Sequence, residues 1–316
     1  MNARGGAPDS PVINIGLVGL GKIARDQHMP ALAASGAFRL LAGASPHSRL
    51  EGMPCYPDTQ TMLAEVPSIT AVALCTTPQA RYEAARYALV HHRHVLLEKP
   101  PGMTVSEVLA LVELARERGL TLFASWHSRY GCAVEPARAW LSGRKLRAII
   151  VIWKENVREW HPGQSWIWRA GGLGVFDPGI NALSILTRIL PGTLRVTDAE
   201  LSYPANCDTP IAAQVALGSN GIGVRLELDF LHTGTPSWNI HVDTDGGTLG
   251  LLAGGSIMEV NDRPIDTPPS AEYPALYAHF AALVHHGAID VDLSPLQLVA
   301  DAFLCGRRTA VEAFIE

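Results

Sequence analysis

The sequence predicts an α/β protein in two parts: a doubly wound parallel sheet, then an α+β part with a large, mostly antiparallel open sheet covered by helices. Three observations lead there. Short apolar runs alternate with helix-period segments as far as Ala124. Beyond residue 127 come strands in which every second residue is apolar. The 316 residues, 47% hydrophobic and 17% charged, suffice for two cores of ordinary globular composition.

In the first part, Val12–Val18 has the pattern of a buried strand, and Lys22–Ala34 reads as a helix. Phe38–Ala44 is a second strand and Thr70–Cys75 a third, followed by helical Gln79–His91. His94–Leu97 is a fourth, short strand. Thr104–Arg118 is a helix with a capping box formed by Thr104 and Glu107, and Gly119 ends it before a fifth strand, Leu120–Ala124. Nearly continuous apolar strands between helices imply a parallel sheet covered on both faces.

In the second part, Ala148–Trp153 is a strand, and a loop rich in tryptophan and glycine runs from Glu155 to Val175. Pro178–Leu190 is a helix. In Val224–Phe230 the apolar residues alternate with polar ones, so one face is buried and the other wet. Asn220-Gly221 and Asp245-Gly246 are hairpin turn signals. Tyr273–His286 and Pro295–Phe314 read as closing helices. The expected domains are 12–127 and 128–316.

The net charge of −5 argues against a general nucleic-acid binder, which needs a basic face. Five scattered cysteines without a C-x-x-C pair suit reduced thiols. Met1–Pro11 lacks the apolar core of a signal peptide and reads as a frayed tail, and no apolar run reaches the length of a membrane span. The expectation is a cytoplasmic protein with no membrane partner.

Gly19-Leu-Gly21-Lys22-Ile23-Ala24 is the G-x-G-x-x-A form of the dinucleotide fingerprint, placed directly after a strand and opening a helix. The glycines permit a tight turn and close backbone approach to a pyrophosphate resting on the helix N-terminus. This makes the first part a Rossmann domain. An acid at the end of the second strand would hold the ribose of NAD. Here Ser45-Pro46-His47-Ser48-Arg49 offers a hydroxyl, an imidazole and a guanidinium instead, which favours NADP and leaves NAD open. Thr76, at the end of the third strand, joins Ser45 and His47 in the expected cofactor set.

Three clusters can carry chemistry. Glu98-Lys99-Pro100-Pro101 follows the fourth strand, at the end of the sheet where doubly wound folds bind ligands. A lysine there can bond a reacting hydroxyl, or act as a base if desolvated; a plain surface lysine is the alternative. Asp177 and Asn181 are four apart and share a helix face, but Asp before Pro178 is also what an N-cap looks like. The third cluster is Trp153, Glu155, Trp160, His161, Trp166 and Trp168, with Trp126 and His127 nearby in pattern. Indoles can cover the flat face of a sugar while Glu, His and Asn bond its hydroxyls; the other reading is ordinary core. His91, His92 and His94 sit at the opposite end of the sheet from the cofactor, and no metal is expected.

With these motifs in place the chain resembles the glucose–fructose oxidoreductase/inositol dehydrogenase family, and within it the bacterial aldose 1-dehydrogenases of L-arabinose and D-galactose. The likeness rests on residues 21–28, 95–101, 122–129, 160–163 and 172–181 and spans nearly the whole chain. It implies that Glu98 and Lys99 lie at the nicotinamide end, with Lys99 also touching the sugar. It implies that Asp177 and Asn181 contact the reacting sugar and that His127, Glu155, Trp160 and His161 line the pocket. Asn181 stands where the wider family has His, and an amide cannot take a proton. The base is therefore sought in Asp177 or Lys99, with His161 a weaker candidate. Pro46 stands where the arabinose enzymes carry Arg, which counts against NADP.

The resulting expectation is oxidation of an aldose at C1 to the lactone, hydride passing to NAD(P)+. It requires Lys99 and Asp177 to address the same C1 hydroxyl. L-arabinose and D-galactose share their hydroxyl arrangement from C1 to C4, so both remain open as substrate. A non-catalytic dinucleotide-binding regulator and a polyol or diol dehydrogenase are the alternatives. A homodimer through the open sheet is compatible with the resemblance.

Overall fold

A computed structural model describes residues 11–219, 221–269 and 271–316. Most of the expected N-terminal tail, and Asn220 of one turn signal, lie outside the described residues.

The strands in chain order are β1 (Ile13–Val18), β2 (Phe38–Ala44), β3 (Cys55–Tyr56), β4 (Ala71–Leu74), β5 (His94–Glu98), β6 (Leu122–Ser125) and β7 (Leu146–Lys154). They continue as β8 (Arg195–Pro204), β9 (Ala212–Ser219), β10 (Ile222–Asp229), β11 (Ser237–Thr244), β12 (Gly247–Leu252), β13 (Ile257–Val260), β14 (Arg263–Ile265) and β15 (Arg307–Val311). The helices are α1 (Met29–Ala34), α2 (Thr59–Glu65), α3 (Pro78–Val90), α4 (Val105–Arg118), α5 (Val134–Leu141), α6 (Val157–Trp160), α7 (Phe176–Ile189), α8 (Glu272–His286) and α9 (Ser294–Cys305). Two compact units result. One holds the chain up to Gly102, Ser106–Ser125 and Tyr273–Val291; the other holds Met103–Val105, Trp126–Glu272 and Asp292–Glu316.

The first unit is built on an all-parallel sheet in the order β3-β2-β1-β4-β5-β6. Its central strands are buried on both faces, as their continuous apolar runs predict. Strand order reverses between β1 and β4, which puts the turns after both strands at the switch point where such sheets bind ligands. The helix expected over Lys22–Ala34 is present with a π-helical segment, Ala24–His28, leading into α1.

The two-residue β3 and the helix α2 are additions to the predicted elements. Too short for periodicity to reveal, β3 pairs Cys55 with Gly43. Asp58 caps α2 by accepting from the Thr61 N–H at 2.7 Å. Late in the chain, α8 returns to this unit. Its Phe280 is fully buried and stacks near Phe38 and Phe123, with ring centroids 5.8 and 6.1 Å away. Beyond it, Asp290 N donates to Leu122 O at 3.0 Å and Asp290 O accepts from Ala124 N at 3.0 Å.

The second unit is built on a sheet in the order β14-β13-β12-β11-β7-β10-β9-β8-β15. Pairing is antiparallel except between β7 and β10 and between β8 and β15. In β10 the alternation holds: Val224, Leu226 and Leu228 are buried, Arg225 and Glu227 exposed. The buried face meets α7, which approaches so closely that a Cβ on Gly179 would sit 2.7 Å from Leu228 Cδ1.

Two expected elements change here. The helix expected from Pro295 to Phe314 ends at Cys305, because Gly306 turns extended (ψ 138°). The β-branched residues beyond it, Thr309 and Val311, then pair parallel with β8 as the edge strand β15. The loop expected between Glu155 and Val175 contains α6 and a 3-10 turn at Ser165–Trp168.

The aromatic packing around α8 gives a direct prediction. Phe280→Ala should destabilise the chain by about 3–5 kcal/mol, the usual cost of truncating a buried phenylalanine. Urea unfolding of the two proteins measures it, and a loss below about 1 kcal/mol would contradict this placement of α8.

Candidate active site

In the first unit the fingerprint turn has the shape a dinucleotide needs. Gly19 has φ +85°, and a Cβ there would lie 2.6 Å from the backbone N of Thr76. Only glycine lets the β1 turn press against the β4 turn in this way. A Cβ on Gly21 would meet open space, so backbone is accessible at that point. The Thr76 hydroxyl oxygen is buried without a hydrogen-bond partner among the described residues. An exposed glycine backbone at the start of the first helix and an unsatisfied hydroxyl on the adjacent β4 turn fit a bound pyrophosphate. Lys22 and Ile23 are exposed in the first helical residues, Lys22 paired with Asp26, and Ala24 is buried.

After β2, the buried Ser45 hydroxyl accepts from the N–H of Ser48 at 3.2 Å, and more weakly from that of His47 at 3.4 Å. Arg49 folds back and donates to the carbonyls of Ser45, at 2.7 Å, and Ser48, at 3.0 Å. His47 and Arg49 are exposed on this acid-free turn.

Glu98 ends β5 with 2% of its surface exposed. Its Oε1 accepts from Tyr273 Oη at 2.6 Å and lies 3.2 Å from His28 Nε2, while Oε2 accepts from the Lys99 N–H. His28 Nδ1 in turn lies 2.7 Å from Tyr277 Oη. The Glu98 carboxylate is thus engaged in holding the start of the Glu98–Pro101 turn, from which a half-buried Lys99 projects. Arg81, buried on α3, clamps the same turn by donating to the carbonyls of Glu98, Pro100 and Thr76. It thereby ties the two turns that carry Thr76 and Lys99 together.

Burial alone would push His28 down. The acidic groups around it, Cys75, Tyr277 and Glu98, outweigh burial and hold it well above the ordinary histidine value. Burial pushes the Tyr277 hydroxyl up to about 12.

In the second unit, β7 and β10 continue pairing past their ends: Glu155 N donates to Asp229 O and Val157 N to Phe230 O, each at 2.9 Å. The short α6, capped by Asn156, then turns the chain back over Glu155. Glu155 is 3% exposed; its Oε1 accepts from His161 Nε2 at 2.8 Å and its Oε2 from Trp238 Nε1 at 2.8 Å. His161 Nδ1 faces Asp177 Oδ2 at 3.8 Å. Trp160 is 41% exposed and meets the Trp238 ring edge-on, centroids 4.9 Å apart.

Asp177 lies in the first turn of α7, whose N-cap is Val175. The helix opens two residues before Pro178, so Asp177 is not its cap, and its carboxylate is buried beside His161. Asn181, half-buried, follows one turn later on the same face.

Glu155, Trp160, His161 and Asp177 therefore form one cluster. His127 lies in the same unit, in a 3-10 turn, and pairs with Glu272 at 2.7 Å. Several tryptophans are packing residues: Trp126 and Trp153 are buried, and Trp168 packs on Phe230 and Phe314. Of the histidines near the start of β5, His91 bonds the Tyr87 carbonyl and His94 accepts from the Thr121 N–H. No group of three or more His, Cys, Asp or Glu that could hold a metal ion occurs among the described residues. No helix among the described residues is long and apolar enough to cross a membrane. Arg81, His28, Tyr273, Tyr277 and Trp238 had no local sequence signal, because each finds its partner at long range in the chain.

These features define an NAD-binding Rossmann oxidoreductase. The family model described as "Oxidoreductase family, NAD-binding Rossmann fold" matches residues 13–125. The chain belongs to this glucose–fructose oxidoreductase/inositol dehydrogenase (Gfo/Idh/MocA) family. It is 43% identical to galactose 1-dehydrogenase of Pseudomonas fluorescens over 305 residues, 96% of this chain and 99% of that one. It is similar to the crystal structure of D-galactose-1-dehydrogenase from Rhizobium etli, with 50% identity, a TM-score of 0.93 and coverage of 98% and 100%. A 3-ketoreductase from Actinomadura kijaniata, in complex with NADP and TDP-benzene, shares the fold at 19% identity and a TM-score of 0.82, covering 95% of this chain and 100% of that one.

The shifts of His28 and Tyr277 favour their protonated forms, so the folded chain keeps protons that the unfolded chain has lost. The stability from His28 is full below its unfolded value, about 6.5, and is lost as pH rises through its folded value. The contribution of Tyr277 falls as pH climbs from about 10, its unfolded value, toward about 12. Tyr277→Phe should cost about 1–3 kcal/mol near neutral pH, by leaving His28 Nδ1 without its partner. It should also flatten the alkaline fall. Thermal melts from neutral pH to above the tyrosine range check both, and an unchanged neutral Tm would contradict the network.

Proposed function

We propose that this chain oxidises an aldose, D-galactose and/or L-arabinose, at C1 to the aldonolactone with NADP+ or NAD+. The observation that carries this reading is the second unit's cluster, where buried Glu155 and Asp177 and half-buried His161 sit beside an exposed Trp160. Fixed acceptors next to an exposed indole suit the hydroxyl rim and flat face of a pyranose. The two galactose 1-dehydrogenases that this chain resembles over nearly its whole length support the same reading.

In this mechanism Asp177 and Asn181 orient the sugar. Lys99, held by the clamped Glu98–Pro101 turn, bonds the C1 hydroxyl. The bound nicotinamide supplies a hydride acceptor. As the C1–H bond breaks with its electron pair, the hydroxyl proton passes to Asp177 or Lys99 and C1 becomes the lactone carbonyl. Glu155, Trp160, His161 and His127 contribute to sugar binding. Gly19, Gly21, Lys22, Ile23, Ala24 and Thr76 hold the pyrophosphate side of the cofactor. Ser45 and His47 would hold the adenosine ribose side, where a turn without an acid would favour NADP+. Glu98 acts on the nicotinamide end by fixing the turn that carries Lys99.

Absorbance at 340 nm, with NAD+ or NADP+ and a panel of aldoses, polyols and diols, tests the reading. Reduction with D-galactose or L-arabinose is expected. Turnover of polyols or diols alone, or of nothing, would overturn it and favour the two alternatives. Lys99→Met should lower kcat by about 10²- to 10⁴-fold with cofactor binding retained. Asp177→Asn should lower kcat while the melting temperature holds, since Asp177 does not cap α7. Finally, kcat/KM should favour NADP+; a strong NAD+ preference would overturn the role given to the Ser45–Arg49 turn.

A further inference from the structure

A carboxylate buried as deeply as Asp177 needs a route for any proton it accepts. Its side chain is 5% exposed, against 16% for the neighbouring His161. The amide of Asn181, one turn along, has no basic nitrogen to offer. His161 has one, and its environment fixes which nitrogen that is.

An indole N–H can only donate, so Trp238 Nε1 makes Glu155 Oε2 an acceptor. The other oxygen, Oε1, lies 2.8 Å from His161 Nε2. A carboxylate serving both neighbours as acceptor requires Nε2 to carry the hydrogen. In the neutral ring Nδ1 then holds the lone pair. That atom is buried, has no hydrogen-bond partner among the described residues, and faces Asp177 Oδ2 at 3.8 Å. Two acceptors face each other across a gap too wide for a hydrogen bond. A proton arriving on Asp177 turns it into a donor toward a waiting base, and a movement of about 1 Å closes the bond.

We propose that Asp177 hands the C1 hydroxyl proton to His161 Nδ1, and that Trp238 and Glu155 are positioning residues that hold His161 in the tautomer and orientation this transfer needs. This rests on the aldose-oxidation reading above. The balance is simple. The sugar O–H bond breaks and an Asp177 O–H bond forms. That bond then breaks as the proton forms an N–H bond on His161. Asp177 returns to its carboxylate, and the imidazolium between the Glu155 and Asp177 carboxylates holds the proton until departure of the product lets water reach the site. The hydride leaves separately for the cofactor, so the relay moves no electrons.

Three measurements on the full chain test it, with circular dichroism to confirm folding of each variant. Trp238→Phe keeps a ring against Trp160 but removes the donor, and should lower kcat by about 10- to 100-fold with little change in KM for the sugar. In a His161→Ala background the same substitution should cost nothing further, since Trp238 acts only through His161. Added imidazole should restore part of the kcat of His161→Ala in a concentration-dependent way. The relay is overturned if Trp238→Phe retains kcat, if its loss adds in full to that of His161→Ala, or if imidazole restores nothing. Should the variants misfold, imidazole rescue of His161→Gln decides in the same sense. A wild-type chain that reduces neither NAD+ nor NADP+ with any aldose defeats the oxidation reading itself, whereas normal turnover with an unaffected Trp238→Phe defeats only the relay.

Discussion

A carboxylate taken out of water is tolerated only when its lone pairs are met, and this chain buries one at the C-terminal end of a central strand in each unit. Glu98 closes β5 and Glu155 follows β7, at 2% and 3% exposure. Glu98 is answered by Tyr273 and His28 from distant segments, and Glu155 by distant Trp238 together with His161 from the turn just after it. The consequence is positional. A carboxylate held at both oxygens cannot swing, so the residues next to it in sequence are fixed as well. In the first unit that neighbour is Lys99, and in the second it is the turn carrying Trp160 and His161. Removing either acid without removing its partners would strand buried donors, which costs more than the net value of the bonds themselves.

This arrangement also explains what the amino-acid order disclosed. Elements with strong periodicity were legible: β1, β2 and β10 follow their apolar patterns closely, and the turn at Gly19 follows its motif. Elements decided by pairing were not. Nothing local marks Cys55–Tyr56 as a strand, since its two residues owe their conformation to Gly43 and Ala44. Arg307–Val311 directly follows a helix, and its β-branched residues settle as a strand only because β8 offers a parallel partner. The packing of α8 on Phe38 and Phe123 joins segments far apart in the chain, which no window of sequence can register.

The candidate site divides along the same line. Glu155, Trp160, His161 and Asp177 were visible as residue types suited to a sugar, and the fold gathers them. Their pairing partners were invisible, because Trp238 reads as an ordinary strand aromatic and Arg81 as an ordinary helix cation. Asp177 shows how a local rule misleads. Asp before Pro suggests a cap, yet α7 begins at Phe176 because Gly174, at φ +54°, and the Val175 N–H bonded to Pro210 O fix the entry to the helix earlier. Freed from capping, the carboxylate turns toward His161.

That freedom bears on why an amide at position 181 would suffice in the proposed oxidation, which must dispose of a proton. A base need not stand on the same helix face as Asp177 if one stands across from it. His161 satisfies this through its second nitrogen, but only because Glu155 claims the first, and Glu155 stays in place only because an indole pins its far oxygen. The tautomer of a single imidazole thus depends on a tryptophan in another strand, β11. If the tautomer were reversed, the Nε2 lone pair would face Glu155 Oε1, acceptor against acceptor, and Nδ1–H would point at Asp177 as a donor that holds the carboxylate instead of receiving from it. In the proposed relay the direction of proton flow is set by which nitrogen Glu155 faces, because the neutral ring that donates to Glu155 from Nε2 presents its lone pair to Asp177.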